Sequence, residues 1–318
     1  MKKIALILFI VISALLFYAC NNTFDPNAPF RERYVLSGIM RNDTSLQIVT
    51  LSKSYQPGDG YNPFTNTKDP AVIGAQVNLW YRDTLYPMRD TTIVRQDTSR
   101  YEDSVHCYYV NNLMPQQNEY VEIQAVMPNG ILLKSSTKLP EVDPGSFFNK
   151  FDDKSVPPPD PSKNDITVEW ASMPNTIYLP RIYITYYVKN SSVKKEWPVP
   201  LFYDTENGKQ VPIYPTQTKT NFVSISMATI TQALNEIPQG DYKKNFSIGG
   251  FDVEVTVYDP YLSTYYFSLQ TGADSYTVRL DAPDFSNVQG GYGIFCSYAK
   301  TDYHIRFTYD YLLAQGFE

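Results

Sequence analysis

The chain has 318 residues, of which 43% are hydrophobic, 19% charged and 15% aromatic, and its formal net charge is −6. Because nucleic-acid-binding proteins cluster Lys and Arg to neutralise phosphates, this acidic balance without a basic stripe excludes that class. The 27 Tyr and 23 Pro favour strands and turns over helices, and the length suffices for two domains. The composition therefore predicts a mostly β protein.

The first twenty residues have the layout of an export signal. Two lysines precede an apolar run at 4–17, and Ala19 stands directly before Cys20. The run is shorter than the ~18–20 apolar residues that a membrane span needs. The segment resembles a bacterial lipoprotein signal, although Phe17 stands where such signals usually carry Leu. A plain secretory cut fits less well, since it requires small residues at both Phe17 and Ala19.

This resemblance implies a lipid anchor. Residues 1–19 are then a lipoprotein signal peptide, and Cys20 is acylated as the mature N-terminus. Residues 20–33, which begin with a polar and turn-forming run, are expected to form a tether. The anchor is the expected contact with the membrane, and the expected location is the outer membrane, on either its periplasmic or its external face.

Residues 34–140 are predicted to form an antiparallel β-sandwich. Alternating apolar and polar residues indicate strands at 34–40, 46–51, 74–79, 106–110, 120–127 and 131–137. Pro128-Asn129-Gly130 is typical of the tight turn of a hairpin, and it joins the last two of these strands. Residues 56–71 indicate a surface loop, and the segment 83–103 is polar and only weakly patterned.

The glycine and apolar positions of this region resemble those of carboxypeptidase-regulatory or transthyretin-type sandwiches. The positions that carry this resemblance are Val35, Gly38, Ile39, Gly74, Ala75, Val77, Leu79, Leu113, Tyr120, Val126 and Gly130. Together with the glycine-rich stretch 290–293, the order of features resembles a family of Bacteroidetes outer-membrane lipoproteins of unknown function. These are often encoded beside TonB-dependent importers, so the resemblance implies a TonB-dependent transporter and its partner lipoprotein as partners.

Residues 141–318 are predicted to form a second β-rich domain with one or two short helices. Strands at 166–170 and 181–189 resemble the edge of a fibronectin-type sandwich. The chain is expected to end in strands at 294–298 and 303–309, with Tyr309 still in the last strand. The whole fold is thus expected to consist of two β-sandwich domains.

Two helices are predicted within this second domain. Ser226 is a suitable cap for a helix at 227–236, whose apolar residues recur at helical spacing. Asp259 is a suitable cap for another helix, with Pro260 at its first position.

Few residues in the sequence indicate catalytic or metal chemistry. His106 and Cys107 are neighbours on a predicted strand, so their side chains point to opposite faces. A surface histidine and a core cysteine are therefore favoured over a catalytic dyad. No zinc-ligand spacing is present, and Gly290-Gly291-Tyr292-Gly293 opens a strand, whereas a phosphate cradle opens a helix. Asp204–Gly208 has the acids of a calcium turn without its bidentate Glu.

We therefore expect no cofactor, no metal and no catalytic role. Cys107 and Cys296 are able to pair in an oxidising compartment, but two free buried thiols are favoured.

The aromatic surplus is the candidate for recognition. Six side chains, which we call the aromatic set, crowd one part of the second domain: Tyr183, Tyr186, Tyr187, Trp197, Tyr203 and Tyr214. Aromatic rings with polar tips suit a glycan, a peptide or a protein interface, but they also fill cores and sheet edges. We expect a transporter contact around Trp197 and Tyr203.

Three short segments resemble the acceptor motif of bacterial periplasmic O-glycosylation, in which Asp precedes Ser or Thr and then Thr or an apolar residue. Their acceptor residues are Thr84, Thr91 and Ser104. All three lie in one polar stretch, so the resemblance implies a modified surface.

These features favour a non-catalytic, lipid-anchored accessory or binding protein of TonB-dependent nutrient uptake. One alternative is a cell-surface adhesin or structural lipoprotein, which usually carries repeats or bound calcium. The more distant alternative is a hydrolase, which needs a nucleophile or an acid–base constellation.

Overall fold

A computed structural model describes residues 30–55, 66–102, 104–142, 144–150, 155–270 and 285–317. Strands account for 48% and helices for 12%, which confirms the predicted mostly β, sandwich-like class. Among the described residues, no helix has the length and apolar character needed to cross a bilayer.

Strands are the main elements of the described chain, and the longer helices interrupt them only in its second half. The strands are β1 (Tyr34–Arg41), β2 (Gln47–Lys53), β3 (Gln76–Tyr81), β4 (Thr84–Pro87), β5 (Arg89–Ile93), β6 (Val105–Val110), β7 (Tyr120–Val126), β8 (Leu132–Lys138), β9 (Phe148–Lys150), β10 (Ser155–Val156), β11 (Asp165–Trp170), β12 (Tyr178–Val188), β13 (Lys195–Pro198), β14 (Phe202–Glu206), β15 (Lys209–Ile213), β16 (Phe222–Ser226), β17 (Phe246–Tyr258) and β18 (Tyr292–Phe307). The helices are α1 (Met227–Glu236), α2 (Pro260–Gln270) and α3 (Tyr309–Ala314), with single helical turns at Pro144–Phe147 and Lys243–Asn245.

The described strands form one large sheet and three smaller ones. The large sheet has the order β13-β12-β17-β18-β1-β2-β6-β5, with β10 paired to β18 beside it. A four-stranded sheet has the order β4-β3-β7-β8, a three-stranded sheet has the order β16-β11-β9, and β14 and β15 form a separate hairpin.

The first and last strands of the described chain lie side by side. β1 pairs with β18 in parallel, so that Gly38 stands opposite Phe295, and β1 pairs with β2 in the antiparallel sense. A Cβ atom on Gly38 would lie 2.9 Å from Val49 Cγ2 and 3.1 Å from the Phe295 ring. Because residue 38 is glycine, the Phe295 ring is able to pack over the backbone of β1 at this position.

One face of the large sheet packs against two hydrophobic cores. Alternate residues of β18 point to this face, and Phe295 joins the first core while Ala299 and Ile305 join the second. The first core is closed by the four-stranded sheet, through residues such as Leu79 and Ile123. The second is closed by the three-stranded sheet and α1.

The two cores divide the chain near the predicted boundary at 140/141. Residues up to Leu139 build the first core and residues from Val142 onward build the second, but Val288 and Phe295 belong to the first. Because β18 serves both cores, one sheet runs through both predicted domains. The boundary itself stays a prediction.

The first two helices begin where their caps predict. Ser226 accepts a hydrogen bond from the Thr229 backbone N–H at 3.1 Å, and α1 buries Ile230 and Leu234. The Leu262 backbone N–H donates to Asp259 Oδ1 at 2.6 Å at the start of α2.

The prediction that the last strand continues to Tyr309 is wrong. β18 ends at Phe307, and Tyr309 is an exposed residue at the start of α3. The Thr308 backbone N–H donates to the Val156 carbonyl at 2.7 Å, and the Phe307 and Tyr311 rings stack 6.2 Å apart. These contacts turn the chain into a helix.

The polar segment 83–103 contains β4 and β5, which the sequence did not indicate. β4 and β5 each lie at the edge of their sheet, and most of their side chains are exposed. An edge strand that is open on both faces has no inward set of apolar residues, so no alternation marks it.

Candidate functional site

The structure separates the aromatic set into different environments. Tyr186 and Trp197 pack against the second core, whereas Tyr183 stands between the buried Ile182 and Ile184 and therefore points to the opposite face of β12. The same alternation continues through Tyr186 and Val188, which pack on the core, so Tyr187 also points away from it. The set is thus not a single surface.

The other two members of the set, Tyr203 and Tyr214, lie at the β14–β15 hairpin. The Tyr203 hydroxyl donates to Glu236 Oε2 of α1 at 3.0 Å, and Tyr214 is 39% exposed. Burial, followed by the hydrogen bond to Glu236, raises the pKa of Tyr203 well above its ordinary value. Burial and the Glu236 charge raise the pKa of Tyr214 as well. Tyr203 is therefore a protonated donor that holds the hairpin against α1.

The structure describes the predicted glycosylation residues but not the predicted lipidation residue. Cys20 lies outside the described residues. Thr84 opens β4 and is exposed, Ser104 is exposed just before β6, and Thr91 is partly exposed in β5. Their accessibility is compatible with modification, which stays a prediction.

Cys107 and Cys296 are free and fully buried, so the favoured prediction of two separate thiols is confirmed. Burial raises the pKa of both thiols, and for Cys296 the nearby charge of Asp259 adds to the effect.

The histidines also lie in unlike surroundings. His304 is exposed, and its Nδ1 lies 2.6 Å from Asp252 Oδ1. The prediction of a surface position for His106 is wrong, because its side chain is only 10% exposed. The Tyr108 ring, two residues further along β6, packs edge-on against the imidazole at 5.3 Å between centroids. Within the described residues, no cluster of three or more His, Cys, Asp or Glu side chains is placed to hold a metal ion.

A better candidate site lies on the outward face of the four-stranded sheet. In β3, Val77 and Leu79 are buried, so Asn78 and Trp80 point outward. In β7, the same alternation turns Tyr120, Glu122 and Gln124 outward. We call these five outward residues, Asn78, Trp80, Tyr120, Glu122 and Gln124, the Trp80 face.

The strand register brings the members of the Trp80 face together. Trp80 stands opposite Glu122, and Asn78 stands opposite Gln124. Tyr120 lies two residues before Glu122, so it is a diagonal neighbour of Trp80, at about 7–8 Å between backbones. Trp80 is 36% exposed and Tyr120 is 62% exposed. Two aromatic rings therefore lie open to solvent with hydrogen-bonding groups next to them.

A tight hairpin fixes one end of this face. Arg82 and Asp83 both have positive φ, 49° and 58°, as in the two-residue turns that match the twist of a hairpin. The Arg82 guanidinium forms a bidentate ion pair with the carboxylate of Glu119, the residue before Tyr120. The Arg82 hydrogen bonds hold the pKa of Glu119 below its usual range.

Tyr81 anchors the same end from beneath. Its hydroxyl accepts a hydrogen bond from the Gln116 backbone N–H at 3.0 Å, and it also bonds to Glu119. Tyr81 is buried, so its pKa is raised first by burial and then by Glu119. The rim of the face is thus held by fixed contacts on both strands.

The face encloses a shallow depression with a volume of about 580 Å³. It is lined by Trp80, Tyr81, Arg82, Asp83, Asn118, Glu119, Tyr120, Glu122 and Gln124. This volume falls within the roughly 300–1,000 Å³ of small-ligand sites. Lys138 Nζ lies 5.7 Å from the centroid of the Tyr120 ring and covers part of it. The arrangement is suited to stacking on the rings and to hydrogen bonding beside them.

Trp80 and Tyr120 lie outside the aromatic set, because that set is defined by the crowding of aromatic residues in the second domain. The sequence signal at Trp80 and Tyr120 is of another kind. Trp80 and Tyr120 are large aromatic residues at outward positions of two strands whose inward positions are all apolar. When strand pairing brings two such side chains together, they form an exposed patch of the kind that marks interaction sites.

No protein-family model matches this chain, and a search of curated proteins finds no similar sequence. The resemblance to outer-membrane lipoproteins therefore stays a prediction from the sequence.

Proposed function

We propose that this protein is a non-catalytic, lipid-anchored binding or accessory protein of a TonB-dependent outer-membrane uptake system. The observation that carries the binding role is the Trp80 face, where Trp80 and Tyr120 stand exposed on a fixed sheet. The anchor rests on the signal-like sequence that ends in Ala19-Cys20. The uptake system rests on the resemblance to outer-membrane lipoproteins.

The fixed backbone of the Trp80 face lowers the entropic cost of binding. Association is weakened when flexible side chains and loops must be immobilised, at about 0.5–1.5 kcal/mol for each mobile side chain. Trp80 and Tyr120 project from paired strands, so their backbone is already ordered. Covering one such ring contributes about 2 kcal/mol. A fixed face of this kind retains most of that gain.

The proposed protein partners are the transporter and its partner lipoprotein, and the proposed contact is in the second domain around Trp197 and Tyr203. The β14–β15 hairpin supports this location, because the exposed Phe202 begins its first strand and the partly exposed Tyr214 follows its second. Tyr is among the residues that dominate the binding energy of protein interfaces.

Co-purification from native membranes in mild detergent tests the proposal. Tagged wild-type protein is expected to bring down transporter components, and Trp197→Ala/Tyr203→Ala is expected to bring down much less. Because Trp197 packs on the core and Tyr203 bonds to Glu236, a Phe202→Ala/Tyr214→Ala variant provides a second version with smaller structural cost. Tyr242→Ala, at an exposed tyrosine in another loop, is the matched control.

The outcomes separate the partner from its location. If wild-type protein brings down no transporter component, the uptake proposal fails. If both aromatic double variants bring down as much as wild type and Tyr242→Ala, only the proposed location fails.

A further inference from the structure

We propose that the Trp80 face binds a neutral glycan, with sugar rings stacked on Trp80 and Tyr120. This inference rests on the proposed binding function and specifies its ligand and its site. It differs from the transporter contact, which we place in the second domain.

The geometry provides a stacking surface. Trp80 and Tyr120 lie on neighbouring strands, which run about 4.8 Å apart. Glu122 stands directly opposite Trp80 and shares the outward face with Tyr120. One side of a sugar ring carries mostly C–H groups, which pack on an aromatic face and release water. Adjacent units of one glycan chain are therefore able to cover both rings.

The polar members of the face suit the hydroxyl groups of a sugar. Each hydroxyl both donates and accepts, and burying one without a partner costs about 1–3 kcal/mol in proteins. Glu122 offers a carboxylate, whereas Asn78 and Gln124 offer amides that donate and accept. These three side chains border the rings, so hydroxyls at the edge of a stacked sugar find partners there.

The charges favour a ligand without net charge. Arg82 and Glu119 neutralise each other in their bidentate pair. The remaining charged side chains around the face are of both signs: Asp83, Glu122, Lys134 and Lys138. No single sign dominates, so an anionic or cationic ligand gains little from this surface.

The same composition argues against a protein as the occupant. A stable protein interface buries about 800 Å² on each partner around an apolar centre that is depleted of charge. On the Trp80 face a carboxylate, Glu122, stands beside the indole of Trp80, and the amide pair Asn78–Gln124 follows it. A small polar ligand fits that alternation, whereas an apolar protein surface would leave those groups without partners.

Calorimetric titration of the full-length protein, purified in mild detergent, tests the inference. The probes are maltohexaose, cellohexaose, xylohexaose and mannohexaose. We expect at least one to bind, and Trp80→Ala and Tyr120→Ala each to weaken that binding roughly tenfold or more. Tyr120→Phe retains the ring and is expected to bind within a few-fold of wild type. Tyr242→Ala, which removes an exposed tyrosine elsewhere, is expected to bind as wild type does.

Binding of none of the four hexasaccharides to wild-type protein overturns the inference, and so does equal binding by wild type and both Ala variants. Loss of transporter co-purification in Trp80→Ala, without any sugar binding, would instead identify the face as a protein interface. Wild-type protein that brings down transporter components but binds no hexasaccharide leaves the proposed function standing and removes only the glycan. If wild-type protein binds a hexasaccharide but brings down no transporter component, the uptake proposal fails and the glycan inference stands.

Discussion

The Thr137 hydroxyl donates a hydrogen bond to the carboxylate of Asp259, although 122 positions separate the two residues. Asp259 is 1% exposed and also accepts from the backbone N–H groups of Leu262, at 2.6 Å, and Ser297, at 3.0 Å. One buried carboxylate therefore joins β8 of the four-stranded sheet to α2 and to β18.

We predict that Asp259→Ala lowers the free energy of unfolding by about 3 kcal/mol. The change removes a helix cap, at about 1 kcal/mol, and leaves the buried Ser297 backbone N–H without its acceptor. It also takes from the Thr137 hydroxyl one of its two partners, the other being Ser297 Oγ at 2.9 Å. Urea denaturation followed by circular dichroism measures the loss. Asp302→Ala, at an exposed position of β18, is the control and is expected to change stability by less than about 0.5 kcal/mol. Equal losses in the two variants would contradict the assigned role.

The same carboxylate predicts a pH dependence. Burial raises the pKa of Asp259, and the hydrogen bonds from Leu262, Thr137 and Ser297 oppose this shift without cancelling it. The folded protein thus binds the proton more tightly than the unfolded chain, whose Asp pKa is about 3.9. This contribution to stability is complete below that value and is lost as the pH rises through the folded pKa.

Asp259→Asn does not titrate, so its stability relative to wild type is expected to improve as the pH rises from about 3.5 to 7. Unfolding free energies of both proteins across this range provide the measurement. A difference that stays constant, or that moves in favour of wild type, would refute the prediction.

The close approach of β1 and β18 at Gly293 predicts a severe effect of a single methyl group. A Cβ atom on Gly293, where φ is +112°, would lie 2.0 Å from the Leu36 carbonyl oxygen on β1. Gly130 also has positive φ, +86°, but nothing lies within 4 Å of its Cβ position. Gly130→Ala is therefore expected to cost about 1–2 kcal/mol, for the backbone conformation alone.

Gly293→Ala is expected to cost about 3 kcal/mol or more, because β1 and β18 must move apart. Thermal or urea unfolding of the two variants in parallel isolates the close approach from the conformational strain. Similar losses would show that the strands accommodate the methyl group.

The proposed lipidation at Cys20 predicts palmitate labelling and partition into the detergent phase. Cys20→Ser is expected to abolish both, because the serine hydroxyl is not the thiol that the lipoprotein pathway acylates. A Cys20→Ser protein that keeps its label and stays fully membrane-bound would disprove the anchor.

Modification of the stretch around β4 and β5 predicts a mass above that of polypeptide plus lipid. Thr84 and Ser104 are exposed and Thr91 is partly exposed, which is compatible with glycosylation. Intact mass spectrometry of protein from its native host measures the excess, and the triple variant Thr84→Ala/Thr91→Ala/Ser104→Ala should remove it. Wild-type protein without any excess would end this hypothesis.

Local patterns in the sequence predicted the elements that bury one face. The alternation in β7 and β8 and the turn at Gly130 predicted their hairpin, and Ser226 with the spacing of Ile230 and Leu234 predicted α1. In each case the signal and the structure lie within one short segment. The strands β4 and β5 lack such a signal because their side chains are exposed at sheet edges.

Long-range relationships were not predictable in this way. Nothing near Tyr34–Arg41 indicates that its parallel neighbour is Tyr292–Phe307, because that pairing depends on the packing of both cores. The Trp80 face depends on register as well, since Trp80 and Tyr120 become neighbours only when β3 and β7 pair. The sequence showed which residues were large and outward, but not which of them met.

The parallel pairing of β1 with β18 also sets the order in which the molecule is completed. A chain that grows from its N-terminus holds β1 with one bare edge until the residues near Gly293 and Phe295 have been made. Closing so long a loop is slow, and a bare strand edge recruits other chains. The two halves are therefore finished together, and an interrupted chain is left with an aggregation-prone edge in place of a folded N-terminal domain.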